Sequence, residues 1–469
     1  MGKNALAFAF YRHNRHSIAV LIGALETDGR FDDLDIRLLE PSQDVGPQGL
    51  GAQGLGAQNL GAQIEALAAE HERVVVAFSF TTFDVLEVFE TLQGIREHLQ
   101  ERGIEHVTLI AGGPHVSGDW QHTLRMGFDF VVVGEGERSF PELLAALYDG
   151  RDAAHIQGVA TCSDSRATYT GRSPQVENLD DVPPFAERFP IVSMIEITRG
   201  CPWGCRFCQA TFLFGARLRH RSVANIVHWA EKSRRFDEKW DIRLLTPDAL
   251  AYGSDGRHQR LDLLAEMLEG VNRVAGRERT YLGSFPSEVR PESVSREGIE
   301  LLRDHVANDN IIIGAQSGSP RMLELSHRGH TVEDIYAAVQ ITLQAGLIAN
   351  VDFIFGMPGE TGEDQHLTRR VVSDLAQMGA RIHSHAFMPL AGTPWGGEKP
   401  GRVDKQTSDL LYSLAGSHQQ YGQWQLQQDV AKAVAGFRET LGGAAVGAAA
   451  VGGVVCEADS RTISAGVVA

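Results

Sequence analysis

Cysteine is scarce: the 469-residue chain has five, too few for a disulfide framework. Aromatic residues make up only 7%, and positive charge is in deficit. Lys plus Arg is 43 against 60 Asp plus Glu, for a formal charge of −17. That balance argues against sequence-independent binding of nucleic acid, which needs clustered cations. No apolar run reaches the roughly 18 residues of a membrane span. The nearest, GGAAVGAAAVGGVV near the C-terminus, is short and rich in Gly and Ala. The opening stretch MGKNALAFAFYRHNRH turns polar too soon for a secretory signal. A soluble, cytoplasmic protein without membrane or nucleic-acid partners is expected. Hydrophobic (43%) and charged (22%) contents are ordinary for a globular chain long enough for two to three domains.

From Asn4 to about Gly150, short apolar runs alternate with helical patterns, which predicts parallel βα units. The expected strands are Ala5–Phe10, Asp35–Leu39, Val74–Phe78, Val107–Ala111 and Phe130–Val133. Val85, Phe89, Leu92, Ile95 and Leu99 follow helical spacing. Runs that are apolar throughout suit strands covered on both faces, so residues 1–150 are expected as a doubly wound, Rossmann-like α/β sheet. GLGAQ-GLGAQ-NLGAQ (49–63) is a tandem pentapeptide of small residues, expected as a surface loop.

Residues 151–190, with Pro183, Pro184 and Pro190, predict a linker containing a short β segment. Six further βα units then begin with strands expected at Met194–Thr198, Ile242–Thr246, Thr280–Phe285, Ile311–Gln316, Val351–Gly356 and Ile382–Pro389. Residues 191–396 are therefore expected as a partial (β/α)6 barrel, two units short of a full one. Residues 397–469 predict a small helical region to about Thr440, then a tail.

The sharpest local signal is EITRGCPWGCRFCQA, which places Cys201, Cys205 and Cys208 in a CxxxCxxC spacing directly after a strand. Three thiolates so close converge on one centre, and their softness selects iron–sulfur, zinc or copper(I). A structural zinc site needs a fourth ligand. His220, within RLRHRS, is the nearest histidine beyond the cluster. Cys162 and Cys456 lie far from the cluster, and the odd cluster itself reads as metal binding in a reducing compartment.

This spacing after the first strand of a partial barrel resembles that of the radical S-adenosylmethionine (SAM) enzymes. GAQSGSPRMLELSHRGHT (314–331), DFIFGMPGET (352–361) and AFMPLAGTPW (386–395) look like that family's fourth, fifth and closing strand segments. The resemblance implies a [4Fe-4S] cluster on Cys201, Cys205 and Cys208, with its open iron chelated by SAM. Phe207 is implied near the adenine. Residues following barrel strands face the site, which implies Thr246, Ser284, Gln316, Ser317 and Met357 around SAM. The family's glycine-glycine-glutamate segment is replaced by TPDALAYG, leaving Asp248 as the candidate for the amino group.

Ligands of open α/β sheets bind beyond the carboxyl ends of the strands. Here those segments are YRHNRHS (11–17), SFTTF (79–83), GGPHVSG (112–118) and GEGERSF (134–140). Together, ahead of the cysteine motif, they resemble the cobalamin-binding domain of class B radical SAM enzymes. The resemblance implies cobalamin contacts from Tyr11, Arg12, His13, Ser79, Thr81, Gly112, Gly113, His115, Gly134, Glu135 and Gly136. Many such domains carry Asp-x-His-x-x-Gly after the first strand, its histidine ligating cobalt. This chain has His13 but neither that aspartate nor that glycine, so the lower face is expected to lack His13, with Tyr11 or Arg12 nearer.

The implied function is a cobalamin-dependent radical SAM methyltransferase. In that family a 5′-deoxyadenosyl radical abstracts hydrogen, and methylcobalamin then delivers methyl to the unactivated carbon. A flavodoxin- or ferredoxin-like electron donor is implied, with a peptide, protein or small-molecule substrate. LLTPDALAYGSDG resembles archaeal members, one of which C-methylates a glutamine of methyl-coenzyme M reductase. That glutamine Cα is the expected substrate, with small secondary metabolites as the alternative. Radical rearrangement or cyclisation uses the same scaffold. A methylthiotransferase would need a second cysteine triad in the first 150 residues, which hold no cysteine. A cobalamin sensor or carrier would leave the triad without use.

Overall fold

Strands with apolar residues on both faces need helices on both sides, and the first sheet is built that way. It comprises β1 (Asn4–Ala9), β2 (Asp35–Leu39), β3 (Arg73–Ser79), β4 (Val107–Gly112), β5 (Phe130–Val132), β6 (Val159–Ser163) and β7 (Arg166–Tyr169). The order is β2-β1-β3-β4-β5-β6-β7. Strands β1 to β5 are parallel, and β6 and β7 add an antiparallel hairpin within the 151–190 stretch. Leu6, Leu109 and Val131 are wholly buried. This computed structural model describes residues 4–41, 55–163, 166–237 and 239–443. It divides into one unit running to Val176 plus the segment from Val434, and a second unit, Glu177–Ala433.

The tandem repeat departs from expectation. Residues 49–54 lie outside the described residues, but the rest belongs to a helix, Leu55–Glu70. Leu60, Ile64, Leu67 and Ala68 recur on one face and are buried in the sheet's core. Leu, Ala and Gln are good helix formers, so repetition did not prevent an amphipathic face. Gly61 allows close approach, because an added Cβ would stand 2.9 Å from the His98 ring. Ile64→Ala should cost about 2–5 kcal/mol in denaturant unfolding. A loss under about 0.5 kcal/mol, the range of surface changes, would remove this helix from the core.

Cys162 lies on β6, away from the cysteine loop in sequence. Among the described residues no helix is long and apolar enough to cross a membrane.

In the second unit, six parallel strands follow in order: Ile195–Glu196, Ile242–Leu245, Thr280–Tyr281, Asn310–Gln316, Ile348–Phe355 and Arg381–Ala386. The third and fourth are joined by Ile312 N–H to the Gly283 carbonyl (2.8 Å) and a Val289–Ile313 bridge. A short strand, Gln420–Tyr421, extends the far edge. This is the expected partial barrel. Four strands are shorter than the pattern predicted, at 195–196, 242–245, 280–281 and 381–386. Along Ile348–Phe355, Val351, Phe353 and Phe355 are buried beneath the helices, and alternation turns Asn350, Asp352 and Ile354 to the barrel interior.

Candidate functional site

The cysteine loop leaves the barrel after Thr198–Arg199, which pairs antiparallel with Arg219–His220 and closes the loop at its base. Gly200 is required there. Its φ is +92°, and a Cβ would sit 2.2 Å from the Arg217 carbonyl oxygen. Cys201 N–H donates to the Gly215 carbonyl (3.0 Å). The Thr211 hydroxyl donates to the Cys201 carbonyl (2.7 Å) and accepts from Gly204 N–H (3.1 Å). Cys208 N–H donates to the Cys205 carbonyl (3.0 Å). All three thiols are free, with Cys205 buried and the others half-buried.

Burial pushes the Cys201 thiol up, and the Cys208 thiol up to about 12. A ligated metal reverses this, since coordinating thiols are deprotonated outright. Two guanidiniums face the Cys205 sulfur: Arg328 Nη1 at 3.6 Å and Arg290 Nη1 at 3.8 Å. Three soft donors on one closed loop, with cations aimed at a sulfur, fit an anionic iron–sulfur cluster. His220 does not complete a zinc set. Its Nδ1 is bonded to Thr198 Oγ1 (2.9 Å) and its Nε2 to the Ser254 carbonyl (2.8 Å).

Of the residues implied around SAM, Phe207 and Met357 share an apolar cluster with Met322, Phe387 and Trp395. Asp248 is buried, and its carboxylate accepts from Ser293 Oγ (2.5 Å) and Leu250 N–H (3.2 Å). Desolvation pushes its carboxyl up to about 6. Thr246 donates to the Asp248 carbonyl (3.1 Å), and the Ser284 carbonyl accepts from Ser287 N–H (3.0 Å). Gln316 ends its strand at φ +71°, and Ser317 Oγ lies 3.2 Å from Thr368 Oγ1. Arg290, Arg328, Glu288 and His330 were not singled out from sequence. Burial pushes the Glu288 carboxyl up to about 7, opposed by Arg328. The one sequence signal was their place in SEVRPE and SHRGHT, beside barrel strands.

A polar chain also lines the barrel wall. His383 Nδ1 lies 3.0 Å from Asp352 Oδ1, and His385 Nε2 lies 3.2 Å from His383 Nδ1. His385 Nδ1 is 3.1 Å from Gln427 Nε2, while Gln427 Oε1 accepts Ala386 N–H (3.0 Å).

In the first unit, Tyr11, Arg12 and His13 form the turn after β1. Asn14 fixes that turn by donating to the carbonyls of Ala9 (3.0 Å) and Ser79 (3.1 Å). Tyr11 stacks on His13, with centroids 5.3 Å apart. His13 Nε2 lies 3.4 Å from Asp84 Oδ1, so a carboxylate missing from this loop comes from the turn after β3. Thr81 caps that turn through Phe83 N–H (3.3 Å). Gly112 is open, the nearest atom to an added Cβ being the Val132 carbonyl oxygen at 3.9 Å.

The remaining strand-end residues also make contacts within the fold. Gly113, at φ +101°, has room for no Cβ against Phe80 (2.9 Å). His115 is wholly buried, stacked on Phe80 and 3.1 Å from Thr82 Oγ1. Gly134 packs on Ser173, and Gly136 on Leu21. The Glu135 carboxylate accepts Val176 N–H (2.9 Å). Ser79 is buried.

Residues 17–144 match the model of the B12 binding domain, and residues 195–371 that of the radical SAM superfamily. The chain thus carries, in this order, a segment similar to a B12 binding domain and a segment similar to a radical SAM domain. An uncharacterized methyltransferase of Pyrococcus horikoshii is 25% identical over 315 residues, 64% of each chain. An uncharacterized protein of Methanopyrus kandleri is 25% identical over 62% of each. The chain thus spans less than two thirds of the length of both curated relatives. The fold of the chain is similar to that of a solved radical SAM methyltransferase, TsrM of Kitasatospora setae, at TM-score 0.63. That match has 19% identity and covers 84% of this chain and 74% of the other.

Proposed function

We propose that the chain is a cobalamin-dependent radical SAM C-methyltransferase, with Cys201, Cys205 and Cys208 as cluster ligands. The observation that carries it is one closed loop presenting three free thiols at the first barrel strand, in a chain with a B12 binding domain. TsrM, solved with cobalamin and a [4Fe-4S] cluster bound, supports the cofactor pairing. When bound, the cluster, SAM and cobalamin supply reductive cleavage and methyl carriage. The chain's own groups orient and enclose. Phe207, Met357 and Trp395 exclude water beside Cys208. Asp248, its carboxyl pushed up to about 6, takes a hydrogen bond from the SAM amino group. Tyr11, Arg12, His13, Thr81 and Gly112 line the cobalamin face.

For the substrate we propose a peptide glutamine Cα of the methyl-coenzyme M reductase type, resting on the LLTPDALAYGSDG segment. The test is anaerobically reconstituted protein with SAM, cobalamin, a low-potential reductant and a glutamine-containing peptide. No 5′-deoxyadenosine from iron-loaded protein would overturn the class. 5′-Deoxyadenosine without a methylated peptide would overturn the glutamine alone and leave a small molecule. For the cofactor face, Gly112→Leu should weaken cobalamin retention roughly tenfold, about 1.4 kcal/mol, with the iron chromophore intact. Unchanged cobalamin content would move the face elsewhere.

A further inference from the structure

Cys205 differs from its two companions in what surrounds its sulfur. Arg290 and Arg328 are 2% and 4% exposed, and both donate to it. Neither is free to swing away. The Arg290 guanidinium lies 4.1 Å over the ring of Trp203, a residue of the cysteine loop itself, and its Nε donates to Glu292 (2.5 Å). Its Nη2 donates to the Arg328 carbonyl. Arg328 Nη2 is bonded to the Gly314 carbonyl (2.6 Å), at the end of the fourth barrel strand.

Carboxyl groups also lie near these cations. Glu292 Oε1 accepts from Arg290 Nε, and burial pushes the Glu288 carboxyl up to about 7. Cationic donors therefore converge on one sulfur in a setting of low dielectric, where such contacts are strong.

We infer that Arg290 and Arg328 act through Cys205 to hold the reduction potential of the cluster higher than thiolate ligation alone would. They are positioning residues, and the inference rests on the reading of the triad as ligands of a four-iron cluster. One electron from the external reductant enters the cluster and adds one negative charge. Hydrogen bonds to ligand sulfur and nearby positive charge stabilise that reduced state more than the oxidised one. Arginine suits the task because it stays charged when buried and its fork serves the sulfur and a carbonyl together.

The experiment is an anaerobic redox titration of iron-reconstituted protein without SAM, following the electron paramagnetic resonance signal of the reduced cluster. Arg290→Gln and Arg328→Gln are each expected to lower the reduced-to-oxidised ratio at fixed poise about tenfold, a midpoint about 59 mV more negative. Arg328→Lys should recover part of the loss by restoring charge without the fork. Fully loaded glutamine variants with the wild-type midpoint would overturn the inference. If they fail to load iron, Trp203→Leu carries the test. It keeps both charges but unseats Arg290, and a midpoint unchanged from wild type would overturn the inference as surely. Failure of the cluster reading looks different: wild-type protein would not take up about four irons.

Discussion

Replacing Cys201, Cys205 and Cys208 together by alanine should remove the iron–sulfur chromophore and reduce 5′-deoxyadenosine formation to background. The three thiols are the only free cysteines among the described residues, and both ring nitrogens of His220 are already bonded. Cobalamin retention should survive, because the sheet ends that would hold it belong to the other unit. Cys162→Ala should leave iron content unchanged. The measurements are iron per chain, the visible spectrum and product formation. A triple variant still making 5′-deoxyadenosine would refute the ligand assignment.

Gly200→Val should reach nearly the same end with every cysteine in place. Valine at φ +92° costs about 1–3 kcal/mol in backbone strain alone, and its Cβ would also overlap the Arg217 carbonyl. The antiparallel base of the loop then opens, and the three thiols lose their fixed anchor. Iron loading should fall close to zero, while circular dichroism shows the helices intact. Gly204 is the control. It also has positive φ (+62°), but nothing lies within 4 Å of an added Cβ. Asn tolerates that conformation, so Gly204→Asn should load iron normally. Equal loading in Gly200→Val and Gly204→Asn would mean the loop needs no fixed base.

What could be read from the sequence followed burial. Strands β1, β3 and β4 were legible because residues such as Val74, Val75 and Val76 are apolar on both faces. The helix from Leu55 was missed because its apolar stripe is built from small and repeated residues, which look like linker composition. The cysteine loop was legible because the ligands are adjacent in sequence. Arg290 and Arg328 were not, because burial of a charge is set by partners distant in the chain. The same holds for Asp84, which meets His13 only because β1 and β3 are neighbours in the sheet. Strand-end glycines were legible as special positions but not as to purpose. An added Cβ on Gly113 would meet Phe80 at 2.9 Å, whereas one on Gly112 would meet only the Val132 carbonyl oxygen, at 3.9 Å.

The Asp352, His383 and His385 side chains on the barrel wall have the composition of a metal-binding triad, yet hydrogen bonds already engage their facing atoms. Gln427 gives its oxygen to Ala386 N–H, so its amide nitrogen faces His385 Nδ1, which must accept. The His385 hydrogen is therefore on Nε2, pointing at His383. His383 Nδ1 has one in-plane site, so it either takes that hydrogen or carries one of its own toward Asp352 Oδ1, not both. A divalent ion entering this cluster would meet the His385 Nε2 hydrogen where it needs a lone pair. It would have to expel that hydrogen, so its affinity would climb with pH.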